Sequence, residues 1–128
     1  MEARLDGRNA LITGGSAGIG KAIAKSFFTS GANVSIVARR SEVLTAAKAE
    51  IEAEGAATGT SGKVFALSAD IRNSEECKKV IAKAQAAFSH IDILVNNAGT
   101  SQRGDFLDLS DEIWQDDLDL KLFAAVRL

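Results

Sequence analysis

The sequence contains no tyrosine and no proline, and only one cysteine, one histidine, one tryptophan and one methionine. Without a phenol, no Tyr of this chain can pass a proton to a substrate. A single Cys77 excludes an internal disulfide. His90, with no second His or Cys to share a metal, sits in a polar turn and is expected to face solvent. No apolar run reaches the length of a membrane span. Met1 to Arg8 alternates charges without an apolar stretch, so a signal peptide is not expected and the setting is read as cytoplasmic. Fifteen basic and 17 acidic residues leave a formal charge of −2, too little cationic field to attract nucleic acid or a membrane surface.

What the chain does have is glycine concentrated in one place. Thr13 to Gly20 reads Thr-Gly-Gly-Ser-Ala-Gly-Ile-Gly, between a short apolar run, Asn9 to Thr13, and a stretch with Ile19, Ile23 and Phe27 at helical spacing. Asp6-Gly7 bounds the apolar run as a buried parallel strand, and Gly31 stands where a left-handed cap would end the helix. Such a strand, turn and helix lets bare backbone approach a ligand and aims the N–H groups of the helix start at negative charge, so phosphate is the natural guest.

Three readings of the turn compete. Its glycines can be purely conformational. Gly15-x-x-x-x-Gly20-Lys21 matches the first seven positions of a P-loop, but the eighth needs a hydroxyl for magnesium and Ala22 has none. A dinucleotide fingerprint is the third, although Gly14-x-x-x-Gly18-x-Gly20 departs from the usual Gly-x-Gly-x-x-Gly spacing. The turn alone leaves these open.

At 128 residues and 46% apolar composition the chain has the size and core of one domain. Val34 to Ala38 reads as a second buried strand running into Arg39-Arg40. Ser41 is placed to cap a helix over about Glu42 to Glu54, with Leu44, Ala47 and Ile51 on one face and Gly55 closing it. Residues 55–62 are small and read as a surface connector. Lys63 to Ala69 is a third strand with Asp70 at its end. Asn73 or Ser74 caps a third helix, whose apolar stripe (Cys77, Val80, Ile81, Ala84, Phe88) makes Cys77 a structural thiol. Ile91 to Val95 is a fourth strand leading into Asn96-Asn97-Ala98-Gly99. Asp111 to Leu128 reads as an amphipathic helix with Leu118, Leu122, Ala125 and Val126 on one side. It meets no cap or glycine stop, so the sequence is expected to be the N-terminal part of a longer single-domain protein. Alternation of strands and helices specifies an α/β fold, a doubly wound parallel sheet with helices on both faces.

Thr13-Gly14-x-x-x-Gly18-x-Gly20, an Asp after the third strand and Asn-Asn-Ala-Gly after the fourth together resemble the classical short-chain dehydrogenase/reductase family over about residues 5–128. The resemblance implies a Rossmann-type sheet of order 3-2-1-4, incomplete here because the chain ends in the helix after strand four. It implies a cofactor site built from Thr13, Gly14, Ser16, Gly18, Ile19, Gly20, Arg39, Arg40, Asp70, Ile71, Asn97, Ala98 and Gly99. In that site the glycines would admit pyrophosphate, Asp70 would meet the adenine amino group, and Asn96 would also tie the central strands together.

Ala38 leaves empty the acidic position that selects NAD, and Arg39 follows where a cation pairs with a 2′-phosphate. NADP is therefore expected over NAD, although Ala17 lacks the basic residue some NADP-using members carry. Arg40 assists or faces solvent. The family's Ser and Tyr-x-x-x-Lys are absent, so no catalytic residue is assigned and the chain alone is expected to be inactive. Counted from Trp114, Lys121 replaces an Asn that many members use in proton relay. Members often carry glycine near Ser89, which makes the end of the third helix costlier here. The resemblance implies hydride transfer between nicotinamide and a small carbonyl or alcohol substrate, in a homo-oligomer without metal. A non-catalytic dinucleotide-binding module is the alternative, and a P-loop nucleotidase a weaker one.

Overall fold

The computed structural model describes residues 3–99 and 106–128, so the first two residues of the Met1 to Arg8 stretch lie outside it. Four strands, β1 (Asn9–Thr13), β2 (Asn33–Ala38), β3 (Val64–Ser68) and β4 (Ile93–Val95), form one sheet in the order β3-β2-β1-β4. All three pairings are parallel, from Asn9 opposite Asn33 to Thr13 opposite Val37, and Ala10 opposite Ile93 on the other side. Helices α1 (Gly18–Thr29), α2 (Ser41–Thr58) and α3 (Ser74–Phe88) connect the strands. After β4 come a 3-10 turn (Phe106–Asp108), α4 (Asp111–Leu118), one π-helical turn (Asp119–Phe123) and α5 (Ala124–Arg127). This is the expected Rossmann-type arrangement.

The sheet is apolar on both faces because β1, β2 and β3 each alternate between two cores. Ile12, Val34, Ile36 and Val64 pack with Ala24 and Phe28 of α1 and Leu44, Ala47 and Ile51 of α2. Leu11, Val37 and Leu67 face the other way, onto Cys77, Val80 and Ala84 of α3 and Ala124 of α5. Leu11, Ile12, Ile36 and Ile51 are fully buried, each contributing about 1.5–3 kcal/mol of apolar transfer. Cys77 belongs to the second core, as its place in the stripe suggested, and its Sγ lies 3.1 Å from the Ile71 carbonyl oxygen. Burial pushes its thiol above the usual range.

Several boundaries differ from the sequence reading. Helix α2 runs through Gly55 to Thr58, and Gly59 (φ 71°) ends it in the left-handed conformation. Gly55 is instead a packing position, where a Cβ would meet the ring of Phe28. Arg40, not Ser41, precedes the first turn of α2, and no side chain caps it. Asn73 caps α3 by accepting from the N–H groups of Glu75 and Glu76. Ser89 ends α3 at φ 75°, a conformation that costs any residue but glycine, so the strain expected there is real.

Strand β4 begins at Ile93 because Asp92 bonds side-on: its Oδ2 accepts from Asn9 N–H at 2.8 Å, taking the donor that a longer ladder would use. His90 is exposed beside it, with Nε2 3.2 Å from Asp92 Oδ2. The terminal segment presents a different face from the one expected. Ala124 is buried and Leu120 and Leu128 pack on the second core, whereas Leu118, Leu122 and Val126 are exposed. The segment is apolar on several sides, and the π turn shifts the helical phase between α4 and α5, so a uniform helical projection misassigns the buried side.

Candidate cofactor cleft

The C-terminal ends of β1, β2, β3 and β4 open onto a cleft of about 510 Å³. Its floor is the glycine turn. Gly14 leaves β1 with φ 67°, and a Cβ there would stand 3.0 Å from both the Ala98 Cα and Asn97 Nδ2, so side chains are excluded twice over. The Gly14 N–H donates to the Val37 carbonyl at 2.8 Å, fastening the turn to β2. Gly20 lets α1 close onto the turn, since a Cβ would run into the Gly14 carbonyl oxygen.

Helix α1 enters the cleft with an unusual start. Ala17 offers no side-chain cap and the first turn holds no acidic residue. By contrast α3 and α4 have side-chain caps, and α2, α3 and α4 have acidic residues in the first turn. The N–H groups and positive dipole end of α1 are therefore left uncompensated at a concave surface.

The remaining walls come from the other strand ends. Val37, Ala38 and Arg39 follow β2; Ala69, Asp70, Ile71 and Arg72 follow β3; Asn97, Ala98 and Gly99 follow β4. Ser68 Oγ donates to the Arg39 carbonyl at 2.9 Å, which joins two of these walls. Asp116, Asp117 and Leu120 reach the cleft from the terminal helical segment.

The structure thus brings Gly14, Ser16, Gly18, Arg39, Asp70, Ile71, Asn97, Ala98 and Gly99 together. Four other residues named from the sequence stand elsewhere. Thr13 is 1% exposed and lies beneath the cleft, its Oγ accepting from the N–H groups of Asn97 and Ala98 at 3.0 Å each. Gly20 is buried behind the turn, Ile19 projects outward at 73% exposure, and Arg40 is exposed before α2. The tie between the central strands is made by Thr13 and Asn97, not by Asn96. Asn97 Nδ2 donates to the Gly14 carbonyl at 3.3 Å, because the residue following β4 alternates outward and only the next one turns toward β1.

Asp70 is the best-held charge in the cleft. Arg72 binds it through Nη2 at 2.7 Å and Nε at 3.0 and 3.2 Å, and the Arg72 N–H adds a bond of 3.1 Å. The hydrogen bonds from the Arg72 guanidinium, opposed in part by burial and aided by the nearby Arg39 charge, hold the Asp70 carboxyl below its ordinary range. Asp70 is therefore an acceptor at neutral pH. Arg72 escaped the sequence reading; a cation two residues beyond a strand-end Asp was its only signal. Asp116, Asp117 and Leu120 gave none, since their approach depends on how the terminal segment docks. Lys121 lies within the π turn, with its Nζ 3.0 Å from Asp117. Among the described residues no cluster of His, Cys, Asp and Glu could hold a metal, and no helix is long and apolar enough to cross a membrane.

A parallel sheet of this order, with a glycine turn feeding a helix and a crevice at the strand ends, is the Rossmann-type arrangement, in which ligands sit outside the carboxyl ends of the strands. The short chain dehydrogenase family model matches residues 8–128, and the chain belongs to that family.

Nodulation protein G of Rhizobium sp. (strain N33) is 40% identical over 124 residues, which are 97% of this chain and 47% of the relative. Among solved structures, L-sorbose reductase from Gluconobacter frateurii, complexed with NADPH and L-sorbose, superposes with a TM-score of 0.91 at 36% identity. That match covers 100% of this chain and 47% of the reductase. A short chain dehydrogenase from Burkholderia cenocepacia J2315 in complex with NADP gives a TM-score of 0.87 at 36% identity, over 98% of this chain and 49% of the other. The chain spans about half the length of each of these relatives.

Proposed function

We propose that this chain is the cofactor-binding half of an NADP(H)-dependent oxidoreductase that moves hydride between nicotinamide and a small carbonyl or alcohol substrate. The observation that carries the reading is the uncapped start of α1 meeting the cleft, with Arg39 at the β2 rim and no carboxylate at Ala38. The fit to a dinucleotide is also steric, since glycine at 14 and 20 lets the turn, α1 and the Asn97-Ala98 wall pack closely and leaves bare backbone at the floor of the cleft.

In this reading the backbone of Gly14 to Gly18 and the first amides of α1 hold the pyrophosphate, with Ser16 beside it. Asp70 accepts from the adenine amino group, and Ile71 packs beside the base. Arg39 pairs with the 2′-phosphate, which favours NADP over NAD. Asn97, Ala98 and Gly99 keep the inner wall small. A bound nicotinamide cofactor supplies or accepts the hydride, and the chain's own residues bind and orient it. The paired proton must move through another group, because none of the 128 residues is Tyr. The chain by itself should therefore bind cofactor without reducing ketones. A homo-oligomer, a cytoplasmic setting and the absence of nucleic-acid or membrane partners belong to the same proposal.

Calorimetric titration of NADPH, NADH and ATP, each with and without magnesium, tests it. NADPH should bind independently of magnesium and more tightly than NADH. Magnesium-dependent ATP binding tighter than NADPH binding would overturn the assignment and restore the P-loop alternative, despite Ala22.

A further inference from the structure

The Arg72 guanidinium does more than hold Asp70. Its Nη1 stands 3.4 Å from Asp116 Oδ2 on α4, while Nη2 and Nε stay on Asp70. One side chain thus spans the mouth of the cleft, from the end of β3 to the terminal helical segment. Arg127 of α5 donates from Nη1 to the Arg72 carbonyl at 3.1 Å, a second link between the same two parts.

This bridge matters because α4 reaches the core only through the π turn and α5 that continue it, where Leu120, Ala124 and Leu128 pack. None of its residues is buried. Among the described residues its other side-chain contacts are the Trp114 ring edge-on to Phe106, with centroids 5.6 Å apart, and bonds along the terminal segment, as in Gln115 to Asp119 at 2.9 Å and Lys121 to Asp117 at 3.0 Å. α4 is thus the part of this helical run with no buried residue, and its position depends on such contacts.

We propose that Arg72 is a positioning residue, a clasp that fastens α4 to the Asp70 rim and thereby couples dinucleotide occupancy of the cleft to the order of α4. The coupling rests on the functional reading above. A ligand donor that bonds the Asp70 carboxylate fixes the group that anchors Arg72, and Arg72 in turn fixes Asp116. By linkage, whatever a ligand gains by ordering α4 is lost from its affinity when the bridge is cut. The guanidinium keeps Nη2 and Nε on Asp70 while Nη1 faces Asp116, a spread of donors that the single nitrogen of a lysine at position 72 does not reproduce.

The test is hydrogen exchange on the whole chain with and without NADP+, using α3 amides as the internal reference. The sole tryptophan, Trp114 on α4, gives an independent reading by fluorescence anisotropy. Arg72→Met should speed α4 exchange in the free protein about three- to fivefold, the scale of one partly exposed ion pair, with α3 unchanged. Arg72→Lys should leave α4 equally fast, and Asp116→Asn should loosen α4 while leaving the Asp70–Arg72 pair intact. In the wild type, NADP+ should protect both the Gly14 to Gly20 turn and α4; in Arg72→Met it should protect the turn alone.

Unchanged α4 exchange in both Arg72→Met and Asp116→Asn would overturn the clasp. Equal protection of α4 by NADP+ in wild type and Arg72→Met would overturn the coupling. If NADP+ failed to protect the turn in the wild type, the functional reading and the coupling that rests on it would fall together, while the free-protein rates would still decide the clasp.

Discussion

Replacing Thr13 with Val tests how the cleft is built, because the change keeps the shape of the side chain and deletes one oxygen. That oxygen accepts two backbone N–H bonds of 3.0 Å, from Asn97 and Ala98, and donates a weaker one of 3.4 Å to the Val95 carbonyl. Among the described residues the two N–H groups have no other partner, and the valine methyl would cover them. An unmade hydrogen bond costs about 1–3 kcal/mol when the group is sealed from water. Asn97 and Ala98 are half-buried, so the lower part of that range applies to each, and the pair should cost about 2–3 kcal/mol. For a domain of this size the melting temperature should fall by roughly 8–12 °C. Thr13→Ser retains the oxygen and should cost only about 1 kcal/mol for the lost methyl. Urea unfolding of the three proteins measures the difference. The inner wall should also loosen, so dinucleotide affinity should drop more in Thr13→Val than in Thr13→Ser. Equal stability of the two variants would refute the reasoning and make the hydroxyl incidental.

Among the described residues the buried Ser35 Oγ, in the middle of β2, has no hydrogen-bond partner, so Ser35→Ala should be neutral or stabilising by up to about 1 kcal/mol in the same unfolding assay. A loss above that amount would mean that its hydroxyl is satisfied. Ser89 holds φ 75° at the end of α3, so Ser89→Gly should raise stability by about 0.5–1 kcal/mol despite the added freedom of the unfolded chain. A lower melting temperature would contradict that balance. Asp70 carries a folded-state pKa depressed by Arg72, so its contribution is present above the unfolded carboxylate range and is lost as pH falls through the folded value. Wild type should therefore exceed Arg72→Met in stability at neutral pH, and the gap should close below about pH 4. A gap that persisted or widened in acid would show that Arg72 acts by packing.

The sheet was legible because β1, β2 and β3 are short apolar runs, each ending in a glycine, an arginine or an aspartate that cannot continue a buried strand. Their ends alone place Gly14, Arg39 and Asp70 on one rim. Asp92 was harder, since a carboxylate inside an apolar run reads as an outward strand residue and gives no hint that it takes a ladder donor from Asn9. Gly55 looked like a stop because glycine punctuates helices, but the Phe28 ring required the missing side chain there. Thr13 reads from the sequence as part of the cofactor site, and its role as a post beneath the cleft was not legible because it depends on where the chain after β4 turns. The terminal segment offered apolar residues on several faces, and only its docking through Leu120, Ala124 and Leu128 fixed which one is buried. That same docking brings Asp116 to Arg72, so the clasp was invisible to periodicity.

The central claim is that an anion held by Arg39 makes this an NADP site, and the direct measurement is calorimetric titration of NADPH and NADH into wild type and Arg39→Asp. Arg39 lines the cleft beside Ala38, and the change removes a cation while placing a carboxylate within reach of a ribose hydroxyl. NADPH should bind the wild type more tightly than NADH, and Arg39→Asp should weaken NADPH by about 1.5–3 kcal/mol, the worth of a hydrogen bond to a charged group, while NADH loses little or gains. Equal weakening of both cofactors, or no preference in the wild type, would contradict the account.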